Sequence, residues 1–266
     1  MKGIIFYLIF ILIISFNQKS EAQIIINKET VVRMDSLNAN LAKAKSFLKQ
    51  GDTEAASKTY IRIMEAYPDN KDAVQGWIMA NMKRTQTGES EILNSLLQLE
   101  RSYPENTGII FWKAFIEAES GQNESALKDI DRLIKIQPDT ALNYILKGQV
   151  LSGMGNYKGA FEVFDRATSL DPERADVWGM KAITLAKTDK FDDALASINK
   201  GLELAPNDPA SIYNRACIYC LKGEKENALA DLKKAISMNP SFKTLARKDE
   251  DFRSLYNDEE FKKLTL

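Results

Sequence analysis

The sequence predicts an all-α fold, a solenoid of stacked helical hairpins, and three observations predict it. Prolines recur at Pro68, Pro104, Pro138, Pro172, Pro206 and Pro240, the first interval being 36 residues and the next four 34 each. Small residues recur in two fixed columns between those prolines. A composition of 44% hydrophobic and 27% charged residues suits a chain that buries a core and stays solvated. A fixed period of this length is the mark of an array in which each unit buries its apolar face against its neighbours.

The elements follow in chain order. Lys2 precedes the run Ile4 to Phe16, IIFYLIFILIISF, and then the polar stretch NQKSEAQ. That order is the one of a secretory signal, and the run is shorter than the roughly 20 residues a relaxed helix needs to cross a bilayer. Ser20 and Ala22 are small residues placed for a peptidase cut between Ala22 and Gln23. Residues 1–22 are therefore expected to be a cleaved signal peptide, and the mature protein to be periplasmic or secreted and bacterial. Residues 23–36, which lack the repeat pattern, are expected to be an extended lead-in. Six hairpins should occupy 37–70, 71–106, 107–140, 141–174, 175–208 and 209–242. The tail 243–266 has apolar residues at helical spacing through Leu245, Phe252, Leu255, Phe261 and Leu264, as capping helices that keep the last hairpin's apolar face dry would require.

Within each unit, counted so that the proline is residue 32, a first column reads Ala44, Ile78, Ala114, Gly148, Ala182 and Ala216 at position 8. A second, at position 20, reads Ala56, Ile92, Ala126, Ala160, Ala194 and Ala228. Small side chains there let two antiparallel helices approach closely. Bulky residues at position 24, Tyr60, Leu96, Ile130, Phe164, Ile198 and Leu232, would fill the space between them. Gly51, Gly121, Gly155 and Gly223 stand where the first helix must end in a left-handed residue, with Asp189 replacing glycine once. The proline then stops the second helix. These columns, clearest in YILKGQVLSGMGNYKGAFEVFDRATSLDP from Tyr144 to Pro172, resemble the tetratricopeptide repeat, over about residues 37–240. The resemblance implies a right-handed superhelix. Two departures stand out: the second unit has a turn longer by two residues, KRTQTGES, and should be the loosest hairpin, and in the third Glu117 takes an inward position, expected to be a tolerated polar edge.

Composition narrows the function. The net charge of -1, from 36 Lys and Arg against 37 Asp and Glu, gives no field for nucleic acid or an anionic membrane. No histidine is present, so no Ser-His-Asp triad, Cys-His pair or imidazole ligand can form. With no glycine-rich phosphate loop either, the chain is expected to be no enzyme, to use no cofactor or metal, and to take no small-molecule substrate. The resemblance implies that the first helices line a concave groove. Its residues would be Met79, Met82, Phe111, Phe115, Ala118, Leu142, Ile145, Gln149, Ile183, Tyr213, Cys217 and Cys220, a largely apolar set suited to a segment of another protein. The family's carboxylate clamp is not matched, since only Asn214 fits its pattern. The expectation is an exported protein–protein interaction scaffold, in envelope or secretion assembly. Alternatives are a membrane-tethered subunit that retains its first segment, or a thiol redox or metal-binding protein using Cys217 and Cys220, which form a C-x-x-C without the strand context of redox enzymes.

Overall fold

The computed structural model describes residues 28–67, 70–85 and 89–266, with side chains from residue 36 onward except 82–85 and 89. The expected signal peptide 1–22 and residues 23–27 of the lead-in lie outside the described residues. Among the described residues the chain is helical with no strand. Among the described residues twelve helices follow one another as six consecutive pairs, five of them packed as hairpins: α1 Lys28–Gln50 with α2 Thr53–Ala66, α3 Lys71–Thr85 with α4 Glu89–Ser102 (the exception), α5 Thr107–Glu119 with α6 Asn123–Ile136. They continue with α7 Ala141–Gly153 and α8 Tyr157–Leu170, α9 Ala175–Ala186 and α10 Phe191–Leu204, and α11 Pro209–Lys222 and α12 Lys225–Met238. A tail follows as α13 Phe242–Ala246, a 3-10 turn Glu250–Leu255 and α14 Glu259–Thr265. The lead-in is not extended from residue 28 on: α1 runs unbroken from Lys28, because KETVVRMDS holds no proline or glycine that would stop the helix.

The small columns do what their size dictates. Ala44, Ala114, Ala182 and Ala216 are fully buried, as are Ala56, Ala126, Ala160, Ala194 and Ala228. Gly148 shows the tolerance: a Cβ built there would sit 2.6 Å from the ring of Phe164, so the α7 backbone itself is the surface on which that ring packs. Tyr60, Leu96, Ile130, Phe164, Ile198 and Leu232 are buried throughout. Four glycines, Gly51, Gly121, Gly155 and Gly223, take φ between 77° and 86° after the first helix, and Asp189 adopts φ 60° in the same role. Side chains of Asp52, Asn106, Asn156 and Asp208 accept from backbone N–H groups three residues on, closing helix N-termini.

The second hairpin departs from the others, and for a reason different from a longer turn. Three residues separate α3 from α4, as three separate α5 from α6, while α3 has 15 residues against 13 in α5 and α7. The two additional residues lengthen the helix. α3 lies instead against α2, where Gly76 lets the Tyr60 ring press on its backbone. The fully buried small residues of this helix are Ala73 and Ala80, and Ile78 is not the close-contact residue its column suggested. α4 leans the other way: Glu100 on α4 receives Lys113 of α5 at 2.5 Å and Arg132 of α6 at 2.7 Å.

Glu117 is not at an edge. It is buried on α5, accepts from Ser125 Oγ at 2.9 Å through one oxygen, and leaves the other without a partner. Burial pushes its carboxyl above the usual carboxylate range, against the pull of Ser125. Nearby, Lys113 pairs with Asp129 at 2.7 Å as well as Glu100. Burial disfavours the Lys113 charge, but the two carboxylates outweigh it and its pKa rises.

Candidate functional site

The first helices of hairpins 3, 4 and 5 leave an open cavity of about 510 Å³ between α5, α7 and α9. Its walls are Phe115 and Ala118 on α5 and Met180, Ile183 and Thr184 on α9; its floor is Leu146, Gln149, Val150 and Gly153 on α7, with the Phe164 ring reached from below. The floor is open at Gly153, where a Cβ would meet nothing within 4 Å, whereas the space beside Gly148 is filled by the Phe164 ring. The result is a notch one hairpin wide, apolar on both sides. Ile183 is 38% exposed, a high value for a bulky aliphatic residue inside a concave surface.

The residues expected to line a groove therefore separate into groups. Phe115, Ala118, Gln149 and Ile183 line the notch. Phe111, Leu142 and Ile145 are buried instead, since neighbouring first helices lie against each other: Phe111 packs in one cluster with Leu142 and Leu146, and Ile145 with Phe164 and Val177. Positions in the N-terminal half of each first helix thus form core, and the open surface lies toward the C-terminal half. Met79 is exposed on α3 and does not line the notch; the Met82 side chain lies outside the described residues. Met180, Leu146 and Val150 were missed. Leu146 and Val150 each stand one position after an expected groove residue and Met180 three before Ile183, and a helical arc wider than single positions would have included them.

Tyr213, Cys217 and Cys220 are covered by the chain's own tail. Tyr213 stacks on Phe242 at 4.7 Å, meets Phe252 edge-on at 5.6 Å and donates to Asp249 at 2.8 Å. Cys220 Sγ contacts Ser254 Oγ at 3.3 Å. Phe252 is fully buried in the same cluster. Lys187, at the end of the first helix of hairpin 5, pairs with Asp251 of the tail at 2.6 Å and also lines the notch. Its pKa is raised, burial opposing the charge and Asp251 more than restoring it.

Chemistry at the thiols is restrained. Burial, with Asp249 beside it, pushes the Cys217 thiol well up, and burial also raises Cys220, which disfavours the thiolate form at both. Cys217, Asp249 and Asp251 bring their ligand atoms within 4.8 Å of one another. The carboxylates are already engaged, Asp251 by Lys187 and Asp249 by Tyr213 and the Asp251 N–H. The cluster serves as a tie between the sixth hairpin and the tail.

Against known proteins, models described as tetratricopeptide repeat match residues 39–70, 151–213 and 209–242. No curated protein sequence matches the chain. Among solved structures it is similar to a tetratricopeptide repeat protein from Parabacteroides merdae at 20% identity, TM-score 0.58, covering 87% of this chain and 98% of that one. It is also similar to Pseudomonas aeruginosa PilF at 14% identity, TM-score 0.62, with 85% and 99% covered. MamA from Desulfovibrio magneticus shares 16% identity at TM-score 0.56, over 64% of this chain and 96% of that one. At these identities the likeness is one of fold.

Proposed function

Because the chain is a tetratricopeptide repeat protein, we propose that it is an exported, non-enzymatic scaffold that holds a segment of another protein on its concave face, in the assembly of envelope or secretion machinery. One observation carries this reading: the notch across hairpins 3 to 5 exposes apolar side chains on a surface that the chain's own tail leaves open. Apolar surface gathered in a concavity is costly in water and is stabilised by an occupant at about 25 cal/mol per Å² removed from solvent. The export half of the reading rests on residues 1–22 and their cut site after Ala22.

Cross-linking in the native host followed by mass spectrometry tests the binding half. Phe115→Asp combined with Ile183→Asp changes two residues that are already partly exposed, so the fold should survive; a cross-linked partner recovered unchanged from that variant would remove the notch from the reading. Phe111 is unsuitable for this purpose because it is core. N-terminal sequencing of the mature protein tests export, and a product that begins at Met1 would favour the tethered alternative.

A further inference from the structure

Independently of what occupies the notch, we infer that pairs of side chains sixteen residues apart form a matching code between successive hairpins, which selects each hairpin's neighbour and holds the array in one order. At every junction the pair has the same place. One member directly follows the bulky column of a second helix, and the other directly precedes the close-contact column of the next first helix, 16 residues on. Asp131 on α6 accepts from Lys147 on α7 at 2.7 Å, and Asp165 on α8 from Lys181 on α9 at 2.6 Å. Asn199 on α10 accepts from Arg215 on α11 at 2.7 Å.

The two members change together from junction to junction. Arg215 already forks onto Asp231 of its own hairpin at 2.6 and 3.0 Å, so its charge is met and a neutral amide at Asn199 suffices. Between hairpins 1 and 2 the pair is Ile61 and Trp77, both packed in one apolar cluster. Between hairpins 2 and 3 the residue at the acceptor place is Leu97, which cannot accept. Lys113 there reaches Glu100, about one turn further along α4, at 2.5 Å, together with Asp129 of its own hairpin. After hairpin 6, where the tail and not another hairpin follows, the corresponding residue is Lys233, of the sign opposite to Asp131 and Asp165.

Discrimination resides in the mismatch more than in the pair. The cations are the covered members: the Lys181 and Lys147 side chains are 15% and 26% exposed, against 62% and 52% for Asp165 and Asp131. Pairs this open contribute little by themselves. A largely covered ammonium set against Ile61, however, is left without a counter-charge, and so is Asp131 set against Trp77. Repeat arrays fail by pairing the wrong neighbours, and a mismatch that costs more than a match gains is what discriminates against them. The Asp131 and Asp165 rungs cross the two junctions that the notch spans, so the same pairs hold its walls at their spacing.

The test uses the full chain and two double variants of identical composition. Asp165→Lys with Lys181→Asp keeps a matched rung with its sign reversed, whereas Asp131→Lys with Lys181→Asp sets like charges against each other at two rungs. Urea unfolding is followed by the helical signal at low salt and at 0.5 M salt. The matched variant should unfold close to the parent, and the mismatched one with an unfolding constant about three- to tenfold larger, the gap narrowing in high salt. Amide exchange should quicken in the mismatched variant at the junctions of hairpins 3 to 5 and not elsewhere. Equal stability of the two variants, or a gap indifferent to salt, would overturn the inference. Should both fail to fold, Asp165→Asn, Lys181→Gln and their combination form the substitute cycle: coupled losses support the code and additive ones overturn it.

Discussion

Gly148 and Gly153 lie on the same helix, and the same substitution at each should act in opposite directions. Gly→Ala inside a helix gains about 0.5–1 kcal/mol, because glycine loses the most backbone freedom on folding. At Gly153, the last residue of α7, that gain comes without steric cost, since nothing lies within 4 Å of the new Cβ. At Gly148 the new methyl would stand 2.6 Å from the Phe164 ring, closer than real Cβ atoms come to any neighbour. Overpacking of this kind costs typically about 1–3 kcal/mol, which outweighs the helical gain. The expected result is a gain of about 0.5 kcal/mol for Gly153→Ala and a net loss of about 1–2 kcal/mol for Gly148→Ala. In a chain of this size that loss lowers the melting temperature by about 2–8 °C. Urea titration of the helical signal measures it, and amide exchange in α7 and α8 shows whether the loss is local. A Gly148→Ala protein as stable as the parent would refute the argument that helix approach, rather than chance, sets the small columns.

Three further outcomes follow from buried or strained groups. Glu117 titrates above its unfolded value, so the native state holds its proton longer than the unfolded one; the stability it contributes is present at low pH and lost as pH rises through the folded pKa. Glu117→Gln should therefore flatten the stability profile above the ordinary carboxylate range, and an unchanged slope in denaturant titrations there would contradict the assignment. Native protein should release no rapid thiol signal to an aromatic disulfide reagent and two thiols after unfolding, since Cys217 and Cys220 are buried and their thiolate forms disfavoured; fast labelling of the folded form would show that the tail does not cover them. Asp189→Gly should stabilise by about 0.5–1 kcal/mol and Gly223→Ala should destabilise by about 1 kcal/mol, because φ at both sites is positive, and melts that rank them the other way would be decisive.

The regular units were legible because one physical constraint, close helix approach, writes itself into single residues such as Ala114 and Ala182. The second hairpin was not, because two added residues have the same sequence signature in a turn as in a helix; only the length of α3, and Gly76 under Tyr60, tell them apart. Glu117 was misplaced for a related reason: a single inward acid does not reveal that Lys113, one turn earlier on the same helix, is met there by Glu100 of α4 and Asp129 of α6. At the candidate site, column positions found Phe115, Gln149 and Ile183. They failed at Tyr213 and Cys217, where burial depends on the chain folding back from the tail, 36 residues on at the Tyr213–Asp249 contact, which no local pattern carries.

The covered face of the sixth hairpin turns the inner channel into a blind alley. With Phe252 sealed beneath and Lys187 clasped to Asp251, a segment lying along the first helices, on the proposed reading, would find the sixth hairpin already occupied. The proposed occupant would then be confined to the hairpins before it, a polarity that the repeat period alone would not give.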